Sequence, residues 1–191
     1  MMAFSEIVEL EDAYDSALYP KRPLAIVRGK GARLWDAEGR MYIDCVGGHG
    51  VANVGHANPV VTGAIVEQAQ RLMVCPNGFY NDVRARLLAE LIRIAPAGLQ
   101  RAFLCNSGTE AVEAALKFSR LNQGRKTVVA AMRSFHGRTF GALSATWRKQ
   151  YRQPFEPLVP GFDFVPYNRP GRIEQAVDDN TAAVIMEVVQ G

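Results

Sequence analysis

Two short runs limit the fold more than any other feature of the chain: Val128-Val129-Ala130-Ala131-Met132 and Ala182-Ala183-Val184-Ile185-Met186, apolar at every position. A strand with one wet face alternates apolar and polar side chains. A run without alternation belongs to a strand covered on both faces, as in a parallel sheet packed between helices. From residue 101 onward the pattern predicts strand 101–105, a helix from Thr109, strand 127–132, a helix over 139–147, strand 162–166, a helix over 173–177 and strand 182–189. That alternation is an α/β layout with a largely parallel sheet.

The first part of the chain reads differently. Ile7, Leu10 and Tyr14 at near-helical spacing predict a short helical or irregular lead-in over residues 1–18, which Tyr19-Pro20-Lys21-Arg22-Pro23 ends. Residues 24–28, 33–36 and 41–45 then read as antiparallel strands joined by turns at Gly29-Lys30-Gly31 and Glu38-Gly39. A glycine-rich passage follows, Gly47-Gly48-His49-Gly50 to Gly55-His56, without the spacing of a dinucleotide fingerprint. Asn58 and Pro59 supply a cap and first-turn proline for a helix burying Val61, Ala64, Ile65 and Leu72. A second helix, from about Asp82 to Pro96, is expected to bury Leu87, Leu88, Leu91 and Ile94.

The formal charge of +3 and the absence of a basic run interleaved with aromatics argue against nucleic acid as a partner. The three cysteines, widely spaced and unpaired in pattern, suit a reducing compartment, so the expected location is the cytoplasm. The acidic N-terminus does not read as a signal peptide, and no apolar run is long enough for a spanning helix, so no membrane association is expected. The three histidines lack zinc-site spacing, so no metal is expected.

The chemistry is expected where predicted strands end. Asn106-Ser107-Gly108-Thr109-Glu110 joins an apolar run to an alanine-rich helical segment, leaving the first amides of that helix aimed at an anion such as a phosphate. Ser107 and Glu110 also match a capping box, and a plain helix cap is an equally good reading of the pair. Ser134-Phe135-His136-Gly137-Arg138-Thr139 offers an aromatic face, an imidazole and a guanidinium. Glu187 puts a carboxylate at the end of an apolar strand, where it needs a partner. Each has a structural alternative: Phe135 as core, His136 as a hydrogen-bonded loop residue, Arg138 and Glu187 as members of ordinary ion pairs.

Taken in order, these segments resemble the N-terminal part of the class III pyridoxal-phosphate aminotransferases of fold type I. The branch they are most similar to holds the acetylornithine and the carrier-linked aminoadipate-semialdehyde aminotransferases. The resemblance rests on Arg28-Gly29-Lys30-Gly31, Leu34-Trp35-Asp36, Glu38-Gly39, Gly55-His56, Asn106 to Ala111, Phe135 to Thr139, and Glu187 with Gln190-Gly191, and it covers nearly the whole chain. Asp44-Cys45-Val46-Gly47-Gly48 and Gly50-Val51-Ala52-Asn53 suggest the aminoadipate branch.

The resemblance implies pyridoxal 5'-phosphate as cofactor, with Ser107, Gly108 and Thr109 at its phosphate and Phe135 and His136 at its ring. It implies Arg138 and Glu187 as substrate-binding residues, Arg138 gripping a carboxylate and Glu187 pairing with a later arginine; Tyr19 aligns near the substrate channel. The implied substrates are glutamate/2-oxoglutarate and a semialdehyde, in arginine or lysine biosynthesis; the implied partners are a second subunit and an acidic carrier protein. Residues 1–55 would belong to the small domain and 56–191 to the first portion of the large cofactor-binding domain. Val188 stands where the family usually has proline. No catalytic residue is assigned: the Schiff-base lysine and the aspartate at the pyridine nitrogen are expected beyond Gly191, so the 191-residue chain alone is expected to be inactive and prone to aggregate. Other readings are a class III aminomutase or decarboxylase, and a non-catalytic binding module.

Overall fold

The computed structural model describes residues 2–191; Met1 lies outside the described residues. The chain forms two compact units, Met1–Asn81 and Asp82–Gly191. The helix that begins at Pro59 falls in the first of them.

The first unit opens with α1 (Phe4–Tyr14) and continues into a three-stranded antiparallel sheet of β1 (Ile26–Lys30), β2 (Arg33–Asp36) and β3 (Met41–Ile43), in that order. The first turn comes later than the glycine pattern predicted. β1 runs through Lys30, and Gly31, with φ 58°, reverses the chain before Arg33. Asp36 organises the second turn, accepting from the amides of Glu38 and Arg40, from Arg40 Nε at 2.7 Å and from the Tyr42 hydroxyl at 2.8 Å. A single turn, α2 (Gly47–Gly50), contains Gly48 and His49 with positive φ. Helix α3 (Pro59–Arg71) starts as expected, the Asn58 side chain accepting from the amides of Val60 and Val61. Its predicted apolar face is exposed, however: Val61 and Ile65 are open to solvent because nothing in the unit lies over them.

The second unit holds α4 (Asp82–Ile94), α5 (Gly108–Gln123), β4 (Thr127–Ala131), α6 (Phe140–Ser144), α7 (Lys149–Arg152), β5 (Phe162–Val165), α8 (Pro170–Ala176) and β6 (Thr181–Ile185). The strands form a parallel sheet in the order β5-β4-β6. The non-alternating run at 128–131 is the central strand, with Val128, Val129, Ala130 and Ala131 completely buried. Burying each valine contributes about 1.5–3 kcal/mol. Ala142, Leu143 and Ala145, from α6 and its end, join this core with Leu116 of α5 and Val165 of β5.

Two predicted strands differ. Residues 101–105 form no strand: among the described residues no strand pairs with them, and Phe103 and Leu104 stay exposed, Phe103 meeting the ring of Phe118 edge-on. β6 stops at Ile185, so Glu187 lies in the segment beyond the strand. Of the face expected to be buried on α4, Leu88 and Leu91 are half-buried, while Leu87 and Ile94 stay exposed. No helix among the described residues is long and apolar enough to cross a membrane.

Candidate active site

Three segments meet at the carboxyl end of the parallel sheet: the start of α5, the loop after β4 and the segment after β6. Ligands of α/β sheets gather at this end.

Ser107 caps α5 from an extended backbone, its hydroxyl accepting from the Glu110 amide at 3.2 Å. Glu110 reciprocates one residue earlier than in the usual capping box, accepting from the Asn106 amide at 2.8 Å and from Ser107 Oγ at 3.0 Å. The Ser107 hydroxyl, and after it the Asn106 side chain and amide, hold the Glu110 carboxyl below its ordinary range. With the Glu110 amide committed to Ser107, the amides of Gly108 and Thr109 are the first-turn donors left over, at the positive end of a 16-residue helix. Gly108 keeps the approach open, since a Cβ there would meet nothing within 4 Å.

The Thr109 side chain is engaged with the loop after β4. Its Oγ1 lies 2.8 Å from Thr139 Oγ1, and Thr139 donates in turn to Glu113 Oε1 at 2.6 Å. The same carboxylate oxygen accepts from the amides of Gly141 at 2.9 Å and Ala142 at 3.1 Å, capping α6. Two glycines make room for this contact. A Cβ on Gly137, whose φ is 142°, would lie 2.7 Å from Thr109 Cβ, and one on Gly141 would lie 2.8 Å from Glu113 Cδ. Glu113 and Gly141 were not singled out in the sequence. The available signal was a carboxylate one turn into α5 facing a loop with glycines at 137 and 141 that no turn type demands.

The structure brings the remaining predicted residues of this unit to the same end. Phe135 is 52% exposed, its ring edge-on to Tyr151 with centroids 6.3 Å apart. Its amide donates to Glu187 Oε2 at 3.4 Å. The segment carrying Glu187 is docked by the Tyr167 hydroxyl, which donates to the carbonyls of Glu187 and Val188, and by Gln190 Nε2, which donates to the Met132 carbonyl at 3.0 Å. The His136 amide donates to Thr146 Oγ1 at 3.0 Å. Its ring Nε2 is buried and has no hydrogen-bond partner among the described residues. Burial pushes the His136 imidazole below its ordinary pKa, with the Glu187 carboxylate pulling weakly the other way. Arg138 is exposed in the same loop. Tyr19, 62% exposed, belongs to the first unit.

An open helix start with two first-turn amides directed outward is suited to an anion, and the exposed Phe135 ring beside it offers an aromatic face.

The model of the family "Aminotransferase class-III" matches residues 15–191. An acetylornithine aminotransferase of Methanopyrus kandleri is 49% identical over 183 residues, covering 96% of this chain and 47% of the relative. A LysW-aminoadipate semialdehyde transaminase of Deinococcus radiodurans is 51% identical over 189 residues, covering 98% of this chain and 44% of the relative. Among solved structures, an ornithine aminotransferase from Toxoplasma gondii superposes with a TM-score of 0.91 at 31% identity, covering all of this chain and 47% of that one. A taurine:2-oxoglutarate aminotransferase from Bifidobacterium kashiwanohense, in complex with PLP and glutamate, superposes with a TM-score of 0.89 at 25% identity, over all of this chain and 49% of that one. The chain spans about half the length of the curated relatives it matches.

Proposed function

The chain belongs to the class-III aminotransferase family, and from that premise we propose that it forms the phosphate-binding wall of an enzyme moving an amino group from glutamate to an ω-semialdehyde. Members of the family work with pyridoxal 5'-phosphate. When bound, the cofactor supplies an electron sink for the bonds at the amino-bearing carbon. The observation that carries the reading is the Thr109–Thr139 hydrogen bond of 2.8 Å, which ties the open helix start to the loop of Phe135, His136 and Arg138.

The residues divide the work. Ser107 shapes the turn, and the amides of Gly108 and Thr109 hold the phosphate. Phe135 covers one face of the ring and His136 lies beside it, neutral because burial disfavours its charged form. Arg138 holds a substrate carboxylate through paired N–H donors. Glu187, beside the Phe135 amide, pairs with an arginine outside this chain and so lets one site accept both glutamate and the semialdehyde. Tyr19 lines the substrate channel. Residues 1–55 belong to the small domain and 56–191 to the large one, in a cytoplasmic homodimer. The acceptor in this reading is N-acetylglutamate semialdehyde or a carrier-linked aminoadipate semialdehyde; the names of an acetylornithine aminotransferase and a LysW-aminoadipate semialdehyde transaminase among the relatives support that substrate class.

The test uses the complete enzyme containing this chain, loaded with pyridoxal 5'-phosphate. Adding glutamate alone is expected to change the cofactor's absorbance spectrum and release 2-oxoglutarate in a first half-reaction. An unchanged spectrum with the cofactor demonstrably bound would sink the assignment. Product analysis separates transamination from aminomutase and decarboxylase chemistry.

A further inference from the structure

We propose that Glu113 is a positioning residue of this site: it clamps the loop bearing Phe135, His136 and Arg138 onto the first turn of α5, and thereby fixes the seat of the phosphate relative to the seat of the ring. The inference rests on the reading of the site as a pyridoxal-phosphate site, and deepens it.

The hydrogen bonds determine the direction of the clamp. An ionised carboxylate only accepts, and a threonine hydroxyl carries one proton. Thr139 spends its proton on Glu113 Oε1, at 2.6 Å. The bond between the two threonines therefore has Thr109 as donor and Thr139 as acceptor. The chain runs Thr109 to Thr139 to Glu113, and the Thr109 hydroxyl has no proton left for an anion at the helix start. The phosphate then depends on the amides of Gly108 and Thr109, whose position depends in turn on where Thr109 is held.

Glu113 anchors the other end of the clamp as well. Its Oε1 accepts from the amides of Gly141 and Ala142, so the carboxylate fixes both Thr139 and the helix that follows it. Gly137 leaves no slack, since a Cβ there would lie 2.7 Å from Thr109 Cβ, and Gly141 admits the Glu113 carboxylate into space a Cβ would take. A carboxylate whose oxygen is taken up by three protein donors thus sets the spacing of the groups proposed to meet the ligand.

The experiment compares Glu113→Ala, Thr139→Val and Thr139→Ser in the complete enzyme. Cofactor dissociation constants come from spectroscopic titration of the apo-enzyme, with kcat and KM for glutamate and thermal melting alongside. Glu113→Ala removes an acceptor shared by three donors, and Thr139→Val removes the hydroxyl that joins Thr109 to Glu113; each is expected to raise the pyridoxal 5'-phosphate dissociation constant roughly tenfold or more. The glutamate KM should rise by more than kcat falls, since Arg138 is misplaced rather than removed. Thr139→Ser keeps the hydroxyl and should stay within about twofold of wild type on both constants. Unchanged cofactor and glutamate constants in Glu113→Ala and Thr139→Val overturn the proposal even if melting drops, because that pattern is purely structural. Thr139→Ser behaving like Thr139→Val overturns it too. If wild type binds cofactor but glutamate leaves its spectrum unchanged, the assigned reaction fails while the variants' dissociation constants still decide the role of Glu113. Failure of the wild type to bind cofactor overturns both.

Discussion

The main-chain amide of Phe135 donates to the carboxylate of Glu187, 52 positions later in the chain, at 3.4 Å. The bond links the loop after the central strand to the segment after its neighbour, so two of the proposed ligand-facing residues are held to each other before any ligand arrives. Glu187→Ala is expected to destabilise the unit by about 0.5–1.5 kcal/mol, at the lower end because the bond is long. Urea unfolding of wild type and variant measures the difference, and a stabilised variant would contradict the contact.

Gly141→Ala offers a sharper test of the packing. Alanine inside a helix normally gains about 1 kcal/mol over glycine. Here the added methyl would press on the Glu113 carboxylate, so the expected outcome is reversed, a loss of about 1–3 kcal/mol. Glu113→Ala in the same chain removes the obstacle, and the double variant should recover part of the loss. A double-mutant cycle reads the coupling, and independent effects would show that the two residues do not meet.

Acid should weaken the first unit in a defined window. Asp44 accepts from His56 Nε2 at 2.6 Å and from the amides of Gly47 and Val46, which together bring its carboxyl pKa to about 2. Burial pushes Asp36 upward, but Arg40, the Tyr42 hydroxyl and the amides of Arg40 and Glu38 outweigh it and bring that carboxyl to about 2 as well. For a carboxyl lowered by folding, the stabilisation is complete above the unfolded value of 3.8 and is lost as pH falls towards 2. Circular dichroism of wild type, Asp36→Asn and Asp44→Asn between these limits should show a shallower pH dependence in each variant.

His136 gives a dependence with the same sign at higher pH. Its pKa is lowered by burial, so the folded state binds its proton less readily than the unfolded chain does. Stability is fully present above the unfolded value of about 6.5 and declines as pH falls through the folded one. Melting temperatures of wild type and His136→Gln should converge on acidification, because the variant has no imidazole to charge. Parallel curves from pH 8 to 5 would remove His136 as the source.

What the sequence made legible follows from how local its signals are. Asn58-Pro59 fixes the start of α3 by chemistry confined to three residues, and the buried run at 128–131 could be read as a two-faced strand without knowing its neighbours. Ser107 could be read as a cap for the same reason. Strand formation at 101–105 depends on a hydrogen-bonded neighbour, which no pattern within those residues reveals, and how much of an apolar helix face is covered, little on α3 and about half on α4, likewise depends on residues distant in sequence. Glu113 escaped notice because its partners are Thr139 and two amides more than twenty-five positions away, and a glutamate on a helix ordinarily signals only a solvated face.

The order β5-β4-β6 also carries a consequence for the newly made chain. The strand at the centre of the sheet is the first of the three to leave the ribosome, and both of its neighbours are synthesised after it. Until Phe162–Val165 emerges, the most apolar stretch of the unit has no ladder to join; until Thr181–Ile185 follows, one of its edges stays open. The interval during translation between residues 131 and 185 is therefore when this unit most needs chaperone protection, and slowing elongation there would lengthen its exposure.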